Sequence, residues 1–278
     1  MFGGDGGKSS GQPVPDLSKI SLSGLRERIE AIADDAEISR WAECLRGDQR
    51  AGARELGDRV LRQLESARHD RERVAALFER RAELVEGGCR FVAGVDEVGV
   101  GPLAGPVVAA AVVLPETVDL PGLNDSKKLS RSGRERLNSS IREAATAVAV
   151  GEVSAVEIDR LNIYQAGLEA MRRAAAALAE RVEVDHLLVD ARTIPGVEVP
   201  QTPLVHGDAI DGSIAAASIV AKVYRDDLMQ KFEIEFPGYG LGRNMGYGTS
   251  EHMSALTRLG ASPIHRRSFA PVAKTLGN

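Results

Sequence analysis

Apolar residues recur along this 278-residue chain in two different rhythms, and the change comes near residue 90. Before it, Leu25, Ile29 and Ile32, and again Val60, Leu61 and Leu64, fall at helical spacing. They sit in a run dense in Arg, Glu, Asp, Ala and Leu with few β-branched residues, the chemistry of charged amphipathic helices. Gly47 to Gly57 reads as a turn region between them, and Trp41 as the plug of a small helical core. Met1 to Asp16 is rich in Gly, Ser and Pro and lacks an apolar run, so it reads as a disordered leader and not a signal peptide. The predicted organisation is a leader over 1–16, a small helical N-terminal extension over 17–88, and a larger domain over 89–278.

After Cys89 the pattern alternates between strand and helix. Phe91 to Val95 is an apolar strand running into Asp96-Glu97. A Gly/Pro-rich turn leads to a second apolar run, Pro106 to Leu114, and with no helix between them the two predict an antiparallel hairpin. Ala147 to Val153 is a third strand, and Ser154-Ala-Val-Glu157 spells a capping box that opens a short helix. Asn162 is placed to cap a helix bearing the small-residue stripe Ile163, Ala166, Ala170, Ala174 and Ala177, which suits close packing on a sheet. His186 to Val189 is a fourth strand ending at Asp190; Val197 to Val205 is extended; Ser213 to Phe232 is a long helix; a final helix follows Thr249. The result is an α/β fold, a mixed β-sheet flanked by helices.

Composition narrows the classes. About 43% of residues are apolar, too many for a disordered chain, and Cys44 and Cys89 are the only cysteines, too few for a disulfide scaffold or a zinc cluster. That usage suits a reducing, cytoplasmic setting. The longest uncharged stretch, Val98 to Pro115, is interrupted by glycines and prolines and reads as sheet and turn, so no membrane span is expected. Net charge is −5, the opposite of a generic nucleic-acid binder. It divides unevenly, −1 over residues 1–90 and −4 over 91–278, whereas 252–278 contain no acid and carry Arg258, Arg266, Arg267 and Lys274. The acidic total therefore conceals a carboxylate-rich region and a basic tail.

Those carboxylates stand at the ends of strands or loops: Asp96, Glu97, Asp190 and Asp208. Acids gathered at strand ends would repel one another by about 4 kcal/mol per pair at 4 Å in an effective dielectric of 20. Hard oxygen donors with no His or Cys nearby favour Mg²⁺ or Mn²⁺, and two such ions about 3.5–4 Å apart suit phosphodiester chemistry. Spacing alone leaves open whether the four meet, since a lone acid on a loop is ordinarily a solvated one.

Eight blocks resemble those of bacterial ribonuclease HII, in the family's order from residue 91 to about 272. They are Phe91-Val-Ala-Gly-Val-Asp-Glu-Val-Gly-Val-Gly-Pro-Leu-Ala-Gly-Pro106, Gly122-Leu-Asn-Asp-Ser-Lys-Lys-Leu129, Asn162-Ile-Tyr-Gln-Ala166, Leu188-Val-Asp-Ala191, Gly207-Asp-Ala209, Ser213 to Lys222, Gly246-Tyr-Gly-Thr249 and Pro263-Ile-His-Arg-Arg-Ser-Phe269. The resemblance implies a ribonuclease H-like catalytic domain over 89–278 with a C-terminal helical tail. It implies endonucleolytic cleavage of RNA in RNA–DNA hybrids and at single ribonucleotides embedded in duplex DNA, leaving 3′-hydroxyl and 5′-phosphate ends. By position, Asp96, Glu97, Asp190 and Asp208 match the family's catalytic, metal-binding acids, with two divalent ions, Mg²⁺ or Mn²⁺. Gly99-Val100-Gly101 matches the main-chain clamp on the 2′-hydroxyl, and Tyr247 the ring that packs on the neighbouring deoxyribose.

Lys127 is then a phosphate or 2′-hydroxyl contact, or simply a surface lysine. Ser218, Lys222 and Arg225 share a helix face at i, i+4 and i+7, where Lys222 either meets phosphate or pairs with Asp226. Three positions depart from the family pattern: Val100 where Arg is usual, His206 where Lys is usual, and Met245 where Lys is common. Each removes a cation or makes it pH-dependent, so weaker and more salt-sensitive substrate binding is expected. A monomer is expected, and the N-terminal extension is either a substrate-gripping arm or a charged appendage. A dinucleotide-binding oxidoreductase is the rival suggested by Gly99-x-Gly101, but Pro102 and the strand at Pro106 occupy the place of its phosphate-binding helix. A hybrid-binding protein without turnover, and another nuclease of the same fold, are further rivals.

Overall fold

A computed structural model describes residues 16–277, so the leader expected over Met1 to Asp16 lies, but for its last residue, outside the described residues. The chain forms two compact units that divide between Glu72 and Arg73. Among the described residues no helix is long and apolar enough to cross a membrane.

The first unit is helical. After a 3₁₀ turn at Leu17–Lys19 come α1 (Leu22–Glu30), α2 (Asp35–Arg46) and α3 (Ala51–Ala76), the last running through the division. Ser21 caps α1 by accepting from Gly24 N–H, and Asp34 caps α2 by accepting from Ala36 and Glu37 N–H. Leu25, Ile29, Trp41, Leu45, Leu56 and Val60 are buried together, so Trp41 is a core plug. The turn expected over Gly47 to Gly57 is shorter: α3 begins at Ala51 and takes in both Gly52 and Gly57. Gly57 is there for close approach, since a Cβ would stand 2.6 Å from the Ala42 carbonyl oxygen. Glycine in a charged run signals a turn and a tight helix crossing equally well, and here it marks the crossing.

The second unit is a five-stranded sheet in the order β3-β2-β1-β4-β5. β1 (Val92–Val98) pairs antiparallel with β2 (Val107–Val113), which pairs antiparallel with β3 (Ala147–Val153). β4 (His186–Asp190) and β5 (Gln201–Leu204) add in parallel on the other side of β1, so the sheet is mixed as expected, with the extended stretch before Gln201 outside it. β2 is buried at every residue because both faces of the sheet are covered, which explains its unbroken apolar run.

Eight further helices follow α4 (Glu79–Glu86). On one face α7 (Ile163–Ala179) sets Ala166, Ala170 and Ala174 against Ala93, Val95 and Ala109, as its small-residue stripe requires. On the other, α9 (Gly212–Glu235) and α5 (Arg131–Ala144) bury Ala216, Ile219, Leu137 and Ile141 against Val108, Ala110 and Val112. α9 starts hard against β1: a Cβ on Gly94 would lie 2.1 Å from the Ser213 carbonyl. The remaining helices are α6 (Ala155–Leu161), the one-turn α8 (Gly207–Ile210) and α10 (Leu241–Asn244), α11 (Ser250–Leu259) and α12 (Ala270–Thr275). α6 carries the capping box read from Ser154 and Glu157, and Asn162 and Thr249 cap α7 and α11. α5 has no counterpart in the pattern above, and α12 follows the helix after Thr249, which is therefore not the last.

Candidate active site

β1 and β4 are parallel neighbours in register from Val92–His186 to Val95–Val189, so the residues that follow emerge at one end of the sheet. One carboxylate oxygen from each of Asp96, Glu97 and Asp190 lies within 4.8 Å of the others. Asp96 is 5% exposed; its Oδ1 accepts the Glu97 N–H at 2.8 Å, and its carboxylate is hydrogen-bonded by Ser218, whose hydroxyl is 2.9 Å from that of Ser126. Asp190 Oδ1 accepts the Gly207 N–H at 2.7 Å. Glu97 Oε2 is buried without a hydrogen-bond partner among the described residues.

Burial, then the charges of Glu97 and Asp190, raise the Asp96 carboxyl well above the usual range. Burial and Asp190 raise Glu97, and burial raises Asp190 against the lowering hydrogen bond from Gly207. Three carboxyls that resist ionisation, all hard oxygen donors, with one buried oxygen unpartnered, form a donor set that fits a divalent cation such as Mg²⁺ or Mn²⁺.

Asp208 stands outside that group of three. It is buried on α8, and its Oδ2 accepts from Lys127 Nζ at 2.9 Å, a bond that holds the lysine ammonium above its usual range. Its charge still raises Asp96 and Asp190, so it borders the same centre. Lys222, read as a phosphate contact or a partner of Asp226, donates to Asp226 Oδ1 at 2.7 Å.

The loop from Gly99 to Pro106 is held from behind by two arginines that are 0% exposed. Arg225 donates to the carbonyls of Pro106 (3.0 Å), Met245 (3.0 Å) and Ala104 (3.1 Å). Arg266 donates to Gly99 (2.6 Å), Val100 (3.0 Å) and Gly105 (2.9 and 3.0 Å). Burial lowers Arg225 to about 10 and Arg266 to about 9, so both remain cations at neutral pH. By sequence Arg266 belongs to a basic tail; in the fold it is spent on backbone, and its partners lie 161 to 167 residues away, beyond any local signal.

Tyr247 is half exposed beside this loop, its Cε1 3.5 Å from where a Gly101 Cβ would sit. A buried histidine pair fixes its carbonyl. Ser262 N–H points at His265 Nδ1 (3.1 Å), so the His265 proton is on Nε2, which donates to His252 Nε2 at 3.0 Å. His252 Nδ1–H is thereby free to donate to Tyr247 O at 2.9 Å. Burial, with the neighbouring His252, lowers His265 to about 4. Of the three departures, Val100 and His206 are exposed, while Met245 packs against the cluster around Leu103, Met229 and Tyr239.

A mixed five-stranded sheet with acids at the shared end of two central parallel strands defines a ribonuclease H-like α/β enzyme. The family model for Ribonuclease HII matches residues 93–272, and the chain belongs to that family, a family of ribonuclease H hydrolases acting as endonucleases. It is 47% identical over 266 residues to Ribonuclease HII of Anaeromyxobacter sp. (strain Fw109-5), covering 94% of this chain and 82% of that one. It is 49% identical over 254 residues to Ribonuclease HII of Geobacillus thermodenitrificans (strain NG80-2), covering 90% and 96%. Among solved structures, ribonuclease H2 from Pyrococcus horikoshii OT3 is similar with a TM-score of 0.55 and 28% identity, over 66% of this chain and 96% of that one.

Proposed function

We propose that this chain cleaves the RNA strand of RNA–DNA hybrids and incises duplex DNA on the 5′ side of a single embedded ribonucleotide, leaving 3′-hydroxyl and 5′-phosphate ends. The observation that carries this reading is the triplet of carboxylates within 4.8 Å, one buried oxygen of which has no partner among the described residues. Asp96, Glu97 and Asp190, with Asp208 at their border, are the residues that would hold two divalent ions, Mg²⁺ or Mn²⁺. Such ions, when bound, supply Lewis acidity at the phosphate and a more acidic water.

The chain's own contribution is placement. Asp96 is held by Ser218 and the Glu97 N–H, and Asp190 by the Gly207 N–H, so two of the carboxylates are oriented before any ligand arrives. With the carbonyls of Gly99 and Val100 turned back onto Arg266, the Gly99–Gly101 backbone is a rigid edge at which a ribose 2′-hydroxyl is read. Tyr247 beside Gly101 packs on the adjacent deoxyribose, and Lys127 joins Asp208 at the phosphate. In this reading the protein works as a cytoplasmic monomer in ribonucleotide and primer removal.

The test is duplex DNA carrying one ribonucleotide, incubated with Mg²⁺ or Mn²⁺. Incision 5′ of the ribonucleotide, lost in Asp190→Asn, is expected. No incision, with Asp190→Asn indistinguishable from the unsubstituted protein, overturns the reading in favour of a binding protein without turnover.

A further inference from the structure

Each of the other cations named around the acidic centre has a polar partner: Lys127, placed at the phosphate above, bonds Asp208, Lys222 bonds Asp226, and Arg225 and Arg266 bond backbone carbonyls. Arg192 is the exception. It follows Asp190 by two residues, after Ala191 in the left-handed region at φ 55°, which turns the chain sharply away from β4. Its guanidinium makes no hydrogen bond or ion pair among the described residues. It lies over the ring of Tyr164, 4.7 Å from the centroid, and that ring is 52% exposed. Arg192 Nη1 and Glu97 Cγ flank the same spot on α7, 3.9 and 4.0 Å from where a Gly167 Cβ would be. Both side chains therefore border one point of α7, and the arginine charge lowers the Glu97 carboxyl across it.

An arginine whose only close partner is the face of an exposed tyrosine ring keeps its N–H donors uncommitted, because that contact uses none of them in a hydrogen bond. Planar donors of that kind suit phosphate. We propose that Arg192, laid on Tyr164, is a substrate-binding residue that takes a backbone phosphate of the nucleic-acid strand next to the acidic centre. This rests on the nuclease reading above.

The test uses fluorescence anisotropy with the full chain and a labelled duplex carrying one ribonucleotide, in Ca²⁺, from about 50 to 200 mM salt. Arg192→Ala is expected to weaken binding about tenfold, the loss of one charged hydrogen bond, and to reduce the slope of log K against log salt by about one. Arg192→Lys should restore the slope but only part of the affinity. Tyr164→Ala should keep the slope and lose about two- to threefold, the worth of an exposed cation–π contact. Arg181→Ala, beyond the far end of α7, removes an equal charge and should change neither quantity. In turnover, Arg192→Ala should raise KM with kcat held within about twofold, as uniform binding requires. An unchanged slope in Arg192→Ala, or an equal drop in Arg181→Ala, overturns the assignment. A protein that binds with an Arg192-dependent slope yet never incises refutes the nuclease reading and leaves this contact standing.

Discussion

Two buried charge clusters lie on either side of the Gly99–Pro106 loop, and they are built on opposite terms. Behind the loop, Arg225 and Arg266 are fully buried with no carboxylate partner, but backbone carbonyls accept from every nitrogen of both guanidiniums. In front, Asp96, Glu97 and Asp190 are gathered with few donors, and Glu97 Oε2 has none among the described residues. Buried cations whose every nitrogen has a partner suit a scaffold; buried carboxylates left short of donors suit a ligand. On the function proposed above, the difference separates residues that position this centre from those that would do its chemistry.

Breaking the acidic side should have the largest effect on activity. Asp96→Asn is expected to lower kcat by at least about 10³-fold, as loss of a member of a concerted group does. It should do so while stabilising the metal-free protein. Because the folded carboxyl is raised, the native state holds a proton that the unfolded chain releases, so stability falls as pH rises from the ordinary aspartate range toward the raised value. Removing that acid should raise the metal-free Tm at pH 7 by about 2–4 °C for each kcal/mol relieved, read by thermal denaturation in EDTA. A lowered Tm would mean that Asp96 is structural.

The arginine side should respond in the reverse sense. Arg266→Ala strands the carbonyls of Gly99, Val100 and Gly105 and should cost about 3–5 kcal/mol of stability, measured by urea denaturation, even where divalent-ion binding survives. A smaller effect belongs to the histidine pair. With His265 lowered to about 4 in the native state, the unfolded chain binds the extra proton first, so its stabilising contribution is complete above about 6.5 and is lost as pH falls toward 4. His265→Phe should flatten that part of the stability–pH curve, and amide exchange near Tyr247 should rise with acid only in the unsubstituted protein.

How far the sequence discloses these two sides follows from the range of the forces involved. Strand β3, the Ser154–Glu157 box and the cap at Asn162 are local in chemistry and legible as such, as is the start of a helix after Thr249. The acids are legible because they end apolar runs, though their meeting is a matter of strand order, which periodicity does not encode. Arg225 and Arg266 are not legible: nothing distinguishes an arginine that will serve distant carbonyls from one facing solvent. Lys222 offers sequence two partners, phosphate or Asp226, and the fold shows the pair with Asp226; Met245 packs in the cluster around Leu103 and Met229. Val100, exposed at the loop, sharpens the point with the smallest effect: Val100→Arg should tighten duplex binding a few-fold and steepen its salt dependence by about one phosphate. No change in either would remove the missing cation as a cause of weak binding.

The central claim is that the carboxylates are brought together to hold divalent ions. Titrating Mn²⁺ into the metal-free protein, followed by calorimetry, tests it most directly. Saturable binding that raises Tm, and that Asp96→Asn abolishes, is the expected result. Binding and stabilisation identical in Asp96→Asn and the unsubstituted protein would contradict it.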